Sequence, residues 1–309
     1  MAGEPTNLLG GVDMPGNILD GKKLSTEIRE ELKGRVARLK EKGITPGLAG
    51  ILVGEDPGSA SYIGLKEKAS EELGISSRMV RLPQNTKQEA LLKEIERLNE
   101  DPKIHGIFIQ LPLPRHLDEN KALNAVLPEK DVDGFHPVNV GKAWMGQEAF
   151  LPATPTGIWE MLVRYRYGDL KGKEVVIVNV DNLVGKPLAS ILAQEKVGAN
   201  VTLCQPSTRN LSSYTRRADV VVVSVNKPRF LTADMVKQGV IAIDFGSNWI
   251  DDPASKTGKR TVGDIDFEPV KEKAEAITPV PGGLGPMTVT MLLVNTVVAA
   301  ERRAERKRK

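Results

Sequence analysis

The sequence predicts an α/β protein of two domains, the second of which contains a doubly wound parallel sheet. The chain has 309 residues, which is more than one domain usually contains. Strand-like apolar runs alternate with segments in which apolar residues recur at helical spacing. A connection between parallel strands has to cross the sheet, so this alternation favours parallel pairing.

The first series of elements ends at residue 111. Leu24, Ile28, Leu32 and Val36 recur at helical spacing, and Gly43 follows as a stop signal. The proline-rich segment QLPLP ends the alternation. We expect helices over residues 21–42, 59–73 and 88–98, and strands over residues 47–54, 76–82 and 106–111.

The second series follows a loop-rich passage over residues 127–156. Its strands are nearly unbroken β-branched runs, which is typical of strands covered by helices on both faces. A final long helix over residues 287–303 follows TPVPGGLGPMT, and its pattern fits either domain. We expect a helix over residues 157–166 and strands over residues 174–180, 200–203, 219–225 and 240–245.

Composition limits the classes of function. A net charge of +3 is too small to indicate a nucleic-acid partner, and the basic run ERRAERKRK at residues 301–309 is typical of a solvated tail. The first twenty residues contain no arginine and no long apolar run, and nothing elsewhere approaches a membrane span. We therefore expect a cytoplasmic protein with neither a membrane nor a nucleic acid as partner.

The sequence predicts no metal site. Cys204 is the only cysteine, so neither an internal disulfide nor a cysteine cluster can form. It follows a strand-like run and is interpreted as a small core residue. His105, His116 and His136 lack the spacing of metal ligands and are interpreted as surface or capping residues.

The segment VVIVNVDNLVGKPLA, residues 175–189, joins the first strand of the second series to a helix. Gly185 lies just before Pro187, and this order marks a helix N-terminus. Unpaired amides and a partial positive charge at such an end can receive a phosphate even without a glycine-rich fingerprint. The segment is equally compatible with an ordinary structural turn, which every α/β protein contains.

Tyr62 and Lys66 are the first candidates for chemistry. They stand four residues apart in SASYIGLKEKA, and on a helix this spacing places both side chains on one face. A partly desolvated lysine can titrate near neutral pH and transfer protons, which arginine cannot do. The alternative is a pair of ordinary solvated side chains.

Two further segments could bind a ligand. PEKDVDGFHP places Asp131 and Asp133 in a turn-rich region, although Asp-Gly pairs are also ordinary turn residues. In TPVPGGLGPMT, prolines and glycines just before a long helix indicate a rigid loop whose bare backbone can approach a flat ligand.

These segments together resemble the methylenetetrahydrofolate dehydrogenase/cyclohydrolase family. The resemblance covers about residues 19–300 and implies an amino-terminal α/β folate domain, a Rossmann-like domain and a final helix that returns to the first domain. The implied division is residues 1–150 with 285–309, and residues 151–284. The matching segments, in order, are SASYIGLKEKA, IQLPLP, PEKDVDGFHPVNVG, PATPTG, VGKPLA, ADVVVVSV, IDFGSN, VGDIDF and TPVPGGLGPMTVTMLLVNT.

The resemblance implies a homodimeric enzyme of one-carbon metabolism. Such an enzyme oxidises 5,10-methylene-tetrahydrofolate with NAD or NADP and hydrolyses the methenyl product to 10-formyl-tetrahydrofolate. Lys66 would be the central catalytic group, oriented by Tyr62, which also stacks near the folate, and tuned by Gln110. Asp133 would bind the pterin edge, and the opposite wall would consist of Pro281, Gly282 and Gly283.

Departures from the family pattern lie mostly in the dinucleotide half. The family commonly has Gly-Arg-Ser at residues 179–181, His-Ser at 205–206 and glycine at 226, and Ala153 replaces a common cysteine. NADP is the family's usual cofactor, but Val180, Asp181 and Pro206 favour NAD. The implied cofactor-binding residues are Asn179, Val180, Asp181, Val184, Gly185, Lys186, Pro187, Gln205, Pro206 and Asn226.

Two alternatives remain open at this point. The first is a cyclohydrolase with weak or lost dehydrogenase activity, which the departures favour. The second is a non-catalytic folate-binding or scaffolding protein, against which the joint presence of Tyr62, Lys66, Gln110 and Asp133 argues.

Overall fold

The first half of the chain folds as alternating strands and helices. The structure, a computed structural model, describes residues 17–255 and 258–306. The elements are β1 (Asn17–Ile18), α1 (Gly21–Glu41), β2 (Gly47–Val53), α2 (Pro57–Leu73), β3 (Ser76–Leu82), α3 (Gln88–Glu100), β4 (Gly106–Ile109), α4 (Glu119–Ala125) and α5 (Pro137–Trp144).

The second half continues the alternation with shorter elements. They are α6 (Ala153–Arg164), β5 (Glu174–Val178), α7 (Gly185–Leu192), β6 (Asn200–Cys204), α8 (Leu211–Thr215), β7 (Val220–Val223), a 3₁₀ turn (Ala233–Met235), β8 (Val240–Asp244), β9 (Asn248–Asp251), β10 (Lys259–Val262), α9 (Phe267–Lys271), β11 (Ala274–Ile277) and α10 (Leu284–Arg306).

Two parallel sheets organise the molecule. The smaller has three strands in the order β3-β2-β4, and the larger has six in the order β1-β11-β8-β7-β5-β6. Every pairing within these two sheets is parallel, whereas β9 and β10 form an antiparallel hairpin. All residues of β2, β4, β7 and β8 are buried, as expected for strands covered on both faces. The predicted α/β class with parallel pairing is confirmed.

The final helix packs against helices from both halves of the chain. It packs against α1 on one side and α6 on the other, so it returns to the amino-terminal part of the chain. In the opposite direction, β1 pairs with β11 and adds an amino-terminal strand to the larger sheet. Because a segment of each half of the chain packs with the other half, the division at residues 150 and 285 stays a prediction.

Helix α10 corrects one expectation. By length and composition it could cross a membrane, with a mean hydropathy of 1.4 over its most apolar window. The expectation that no segment approaches a membrane span is therefore wrong for this helix. Its apolar residues serve internal packing, since 61% of that window is buried inside the protein.

Two segments expected to be irregular contain helix. The passage over residues 127–156 includes α5 and the start of α6, whose proline-rich beginning masks the helical signal. The expected tail at residue 301 is helical through Arg306 because α10 continues there. Glu301 pairs with Arg35 and Arg302 pairs with Glu148, so these side chains are not simply solvated. Residues 307–309 of the expected tail lie outside the described residues.

Candidate active site

A cleft of about 470 Å³ lies between α2, the loops after β4 and the carboxyl ends of the central strands of the larger sheet. It brings together residues from both halves of the chain, including seven predicted from the sequence to act in folate chemistry or cofactor binding. Its lining comprises Gly58, Ser59, Tyr62, Lys66, Ile109, Gln110, Leu111, Asp133, Phe135, Thr154, Asp181, Leu183, Val184, Ser224, Asn226, Phe245, Ser247 and Thr288.

Helix α2 positions Tyr62 and Lys66. Asp56 caps its N-terminus by accepting a hydrogen bond from the Ser59 amide at 2.7 Å, and Gly74 ends it in a left-handed conformation with φ of 69°. One helical turn separates the two side chains, so both reach the cleft. Burial raises the pKa of the Tyr62 phenol, which favours its neutral, hydrogen-bonding form.

Lys66 is only 7% exposed, and its ammonium is held from several sides. Its Nζ donates a hydrogen bond to Gln110 Oε1 at 3.2 Å and lies 3.9 Å from the centroid of the Phe108 ring. Desolvation lowers the pKa of Lys66, and the negative charge of Asp133 partly opposes this effect. A lysine in such surroundings can exchange protons closer to neutral pH than a solvated one.

The two aspartates of the predicted binding segment have different surroundings. Asp131 is buried, and its carboxylate accepts hydrogen bonds from the amides of residues 134–136 and from the Asn139 side chain. It therefore organises the loop. Within residues 17–255 and 258–306, no hydrogen-bond donor reaches the carboxylate of Asp133, which lines the cleft. Burial raises the pKa of Asp133 to about 6, although nearby Lys66 opposes the rise.

The proposed opposite wall lies beside the cleft rather than in its lining. The Gly282 carbonyl accepts a hydrogen bond from the Lys22 amide at 3.0 Å, which fastens this loop to the start of α1. Pro281 is exposed, and Gly283 is buried against α1. Gly285 of the same segment lies close to the predicted site, since a Cβ placed there would lie 3.6 Å from the Tyr62 hydroxyl.

The cleft reaches the larger sheet at its topological switch point. After β5 the chain adds β6 on one side, and it then returns to add β7 on the other. Helices therefore leave the neighbouring strands β5 and β7 toward opposite faces, which opens a crevice at their carboxyl ends. Asp181 and Val184 follow β5, and Ser224 and Asn226 follow β7, so all four residues line this crevice.

The carboxylate of Asp181 accepts hydrogen bonds from within the turn that follows β5. Asp181 Oδ1 accepts hydrogen bonds from the amides of Leu183, Val184 and Gly185 at 3.1, 2.6 and 3.1 Å. These amides lead into α7, and such amides are common phosphate ligands. The Asn179 side chain donates both to Asp181 Oδ2 at 2.8 Å and to the Ser224 carbonyl at 2.6 Å. No sequence pattern indicated that a carboxylate of the chain itself accepts hydrogen bonds from the amides of this turn.

Two asparagines replace glycine where the backbone has positive φ. Asn179 has φ of 135° and Asn226 has φ of 54°. Asparagine is among the non-glycine residues that tolerate the αL conformation best, which fits the φ of Asn226. The φ of Asn179 lies outside the αL range, in backbone that glycine adopts more readily.

Asp264 supports the turn after β7 from beneath the cleft. Its carboxylate accepts hydrogen bonds from the amides of Val225, Asn226 and Lys227 at 2.5, 3.0 and 2.8 Å, and from the Asn248 side chain at 2.8 Å. Asp264 is fully buried. It therefore fixes the main chain of a crevice wall without reaching the cleft itself.

Comparison with known proteins assigns the chain to a family. Residues 19–133 match the profile described as tetrahydrofolate dehydrogenase/cyclohydrolase, catalytic domain, and residues 152–304 match that of the NAD(P)-binding domain of the same family. The chain belongs to the tetrahydrofolate dehydrogenase/cyclohydrolase family. The resemblance noted in the sequence is thereby confirmed.

Full-length relatives of this family share about half of the sequence. The bifunctional protein FolD of Syntrophus aciditrophicus is 51% identical over 290 residues, covering 93% of this chain and 98% of the relative. The bifunctional protein FolD of Dehalococcoides mccartyi strain CBDB1 is 52% identical over 293 residues, covering 94% and 98%.

Solved structures of family members superpose over nearly the whole chain. FolD of Campylobacter jejuni has 48% identity and a TM-score of 0.88, with coverage of 93% of this chain and 99% of that one. The Trypanosoma brucei enzyme, solved with NADP and an inhibitor, has 38% identity, a TM-score of 0.89 and coverage of 94% and 99%. The two-domain fold with a returning final helix is therefore that of the family.

Several predicted cofactor residues lie near the crevice but not in its lining. The turn brings Gly185 and Pro187, both buried, into the start of α7, while Lys186 donates to Asn182 at 2.8 Å. After β6, the Gln205 amide donates to Thr208 Oγ1 at 2.9 Å. Their contact with a cofactor stays a prediction, as does that of Val180 and Pro206.

Sequence reasoning missed some residues that line the cleft and some that support it. Asp264 stands in VGDIDF, to which no site role had been given, and Phe108 stands two residues before Gln110 in GIFIQL. Thr154 and Thr288, which hydrogen-bond to each other at 2.8 Å, also line the cleft. For Asp264, Thr154 and Thr288 the available signal was membership of a segment shared with the family, because none of them has a distinctive spacing; Phe108 precedes the shared segment IQLPLP and had no such signal.

The roles expected of the histidines and the cysteine are confirmed for some of these residues and wrong for another. His136 accepts from the Val138 amide and caps α5, and Cys204 is buried, as expected. His105 is buried rather than exposed, and its Nδ1 accepts from the Gly47 amide at 3.0 Å. Among the described residues, no group of three or more His, Cys, Asp or Glu side chains is arranged to hold a metal ion.

A second cavity, of about 650 Å³, contains none of the predicted site residues. It lies at the far end of α10, where Arg302 stacks 4.5 Å from the Phe150 ring centroid. Lys130 Nζ lies there too and donates to the carbonyls of residues 98, 99 and 101, which closes the end of α3. These contacts give Lys130 a structural role.

Proposed function

We propose that this chain oxidises 5,10-methylene-tetrahydrofolate with a nicotinamide cofactor and hydrolyses the methenyl product to 10-formyl-tetrahydrofolate. The observation that carries this proposal is the position of Lys66. It is buried in the wall of a cleft that has on one side the carboxylate of Asp133, which no hydrogen-bond donor of the described residues reaches, and on the other a switch-point crevice. Relatives that cover nearly the whole chain have the printed name bifunctional protein FolD.

The residues at the switch point fit a nicotinamide dinucleotide. A crevice at the carboxyl ends of β5 and β7 is where doubly wound sheets bind such cofactors. Asn179, Asp181, Val184 and Asn226 would hold it, on a main chain that Asp264 keeps in place. When bound, a nicotinamide dinucleotide supplies the hydride acceptor. The protein's part in this oxidation is to bind and orient the folate and to exclude water.

Hydrolysis of the methenyl bridge requires proton transfer, and Lys66 is placed for it. Water adds to the bridge carbon, a proton leaves that water, and the carbon–nitrogen bond that breaks leaves a nitrogen that takes up a proton. A lysine with a lowered pKa can accept the first proton and return one to the nitrogen. Gln110 holds the lysine at 3.2 Å, and Tyr62 lies one turn away on the same helix face.

Asp133 would recognise the pterin. An aminopyrimidine edge carries neighbouring N–H donors, and an ionised carboxylate can accept two parallel hydrogen bonds from it. The Asp133 carboxylate lines the cleft and has no donor among the described residues. We assign the wall beside Tyr62 to the loop of Pro281, Gly282 and Gly283, supported by the closeness of Gly285 to Tyr62.

NAD is the proposed cofactor rather than NADP. The carboxylate of Asp181 lies in the turn that in the family faces the adenosine 2′-phosphate, and it would repel that group. Val180 offers no charge, and Pro206 offers no hydroxyl. Losing a charge-assisted contact costs about 1.5–3 kcal/mol, or roughly ten- to a hundredfold in affinity. Asp181 Oδ2, which accepts one hydrogen bond from Asn179, can still accept one from a ribose hydroxyl.

One set of assays tests the function. The purified chain is given 5,10-methylene-tetrahydrofolate with NAD and separately with NADP, and the hydrolysis of 5,10-methenyl-tetrahydrofolate is followed without either cofactor. We expect turnover in all three, with the highest dehydrogenase specificity constant for NAD. Hydrolysis without any dehydrogenation would support the alternative of a cyclohydrolase that has lost dehydrogenase activity. Folate binding without turnover would support the alternative of a non-catalytic folate-binding protein.

We further propose a homodimer that forms through the second half of the chain and acts in the cytoplasm. Trp249 on the β9–β10 hairpin is 68% exposed, and a large exposed aromatic side chain is typical of a contact surface. Sedimentation at micromolar concentration should give twice the 33.6 kDa of one chain. A single species at the mass of one chain would contradict the dimer.

A further inference from the structure

The ring of Phe108 lies directly against the ammonium group of Lys66. The distance from Lys66 Nζ to the ring centroid is 3.9 Å, well within the range of about 6 Å over which a cation is attracted to an aromatic face. Phe108 is 1% exposed and Lys66 is 7% exposed, so little water competes for this contact. A desolvated cation–π contact is stronger than an exposed one.

Strand β4 presents this ring and Gln110 to the same side. Side chains two residues apart on a strand point to the same face, and the ladder continues past the end of β4 because the Gln110 amide donates to the Ile51 carbonyl at 2.9 Å. Both side chains contact Lys66 Nζ. The strand therefore holds the ammonium with two different groups, an amide oxygen and an aromatic face.

The neighbouring strand leaves room for the ring. Gly50 on β2 is paired with Phe108, and a Cβ at Gly50 would overlap both the Phe108 ring and the Met79 side chain. Gly50 is buried inside a strand, where glycine is otherwise unfavourable. The glycine thus allows the ring to lie across the sheet and reach Lys66.

We infer that Phe108 is a positioning residue that holds Lys66 and stabilises its protonated form; this inference rests on the role proposed for Lys66 in hydrolysis. The ring attracts the ammonium but not the neutral amine, so it opposes the desolvation that favours loss of the proton. The titratable groups that face Lys66 are Tyr62 on its own helix and Asp133, with Asp131 behind it. Of these, Asp133 acts in the same direction as the ring.

The test changes the ring's electrostatics while keeping its shape. Phenylalanine at position 108 is replaced site-specifically by its mono-, di- and trifluorinated analogues, which weaken the negative face stepwise. The pKa of Lys66 is measured without substrate by NMR of lysine labelled with ¹³C at Cε, and Lys66→Met identifies its signal. We expect the pKa to fall with each fluorine, by about 0.4–1.5 pH units in total.

Phe108→Leu gives a second measurement, with Ile107→Leu as the matched control on the opposite face of the same strand. In Phe108→Leu, the acidic limb of the pH–rate profile of hydrolysis should move to lower pH by a similar amount. The control Ile107→Leu should have the same acidic limb as the parent. If the fluorinated series leaves the pKa of Lys66 constant, the inference is wrong, even where Phe108→Leu is too unstable to measure. Absence of hydrolysis in the unsubstituted chain would instead overturn the proposed function and leave the NMR result readable.

Discussion

Asn179 donates a hydrogen bond of 2.8 Å to the carboxylate of Asp181 across the turn that follows β5. The other oxygen of that carboxylate accepts from three amides at the start of α7, so the negative charge is built into the site that would face a cofactor phosphate. We expect a fixed charge at this position to discriminate between cofactors that differ by one phosphate.

Replacing Asp181 with serine should shift cofactor use toward NADP. The substitution removes the like charge and adds a hydroxyl, so the ratio of specificity constants for NADP over NAD should rise about tenfold or more. Steady-state dehydrogenase kinetics with both cofactors measure this ratio. Asp169→Ser is the control, because this exposed aspartate precedes β5 at the other end of the sheet. An unchanged ratio in Asp181→Ser would remove Asp181 from cofactor selection.

Replacing Lys66 with methionine should abolish most hydrolysis of methenyl-tetrahydrofolate. Methionine keeps much of the stem but carries no proton, and general acid–base groups contribute ~10²–10⁴-fold. Lys68→Met, an exposed lysine on the same helix, serves as the control and should keep the parental rate. The rate is followed by the loss of methenyl absorbance. If Lys66→Met hydrolyses as fast as Lys68→Met, Lys66 does not transfer the proton.

Folate affinity should depend on pH through Asp133. The pKa of this carboxyl is raised to about 6 by burial, and only the ionised form accepts two hydrogen bonds from the pterin. Affinity should therefore be constant above that pH and weaken by up to about tenfold for each pH unit below it. Titration with 5-formyl-tetrahydrofolate between pH 5 and 8, followed by calorimetry, measures the effect.

Asp133→Ala provides the matched comparison for that titration. It should weaken binding roughly ten- to a hundredfold at pH 7, and it should lose the pH dependence near 6. A variant that binds folate as tightly as the parent, with the same pH profile, would place the titrating group elsewhere.

Replacing Asp264 with alanine should impair dehydrogenation more than hydrolysis. The change leaves the amides of residues 225–227 without their acceptor, so the crevice wall should loosen and the KM for the dinucleotide should rise. Leaving buried donors unsatisfied should also lower the free energy of unfolding by about 1–3 kcal/mol. Denaturant titration and kinetics at a temperature well below unfolding separate the two effects.

Asp266→Ala is the control for Asp264. It lies two residues further on and is partly exposed, and its carboxylate pairs with Arg229 at 3.8 Å. Its stability and its KM for the dinucleotide should stay close to those of the parent. A normal KM in Asp264→Ala would show that the turn after β7 keeps its shape without this carboxylate.

The sequence by itself determined most of the parallel strands and the long helices, and it supplied the candidate residues of the folate side. Unbroken β-branched runs predicted the buried parallel strands, and helical spacing placed Tyr62 and Lys66 on one face, because both signals come from residues close together in the chain. The segments shared with the family added Gln110 and Asp133, which also line the cleft. None of these inferences required knowing how distant segments meet.

Only the tertiary structure decided the surroundings of those residues. Phe108 reaches Lys66 because Gly50 on the neighbouring strand has no side chain to occupy the space of the ring. Asp264 accepts a hydrogen bond from the Asn226 amide although the two residues are 38 positions apart in the chain. Asp181 satisfies the amides that precede α7 through a local turn whose geometry sequence spacing does not encode. Burial, hydrogen bonding and pKa depend on which segments pack together, and local sequence patterns carry no record of that packing.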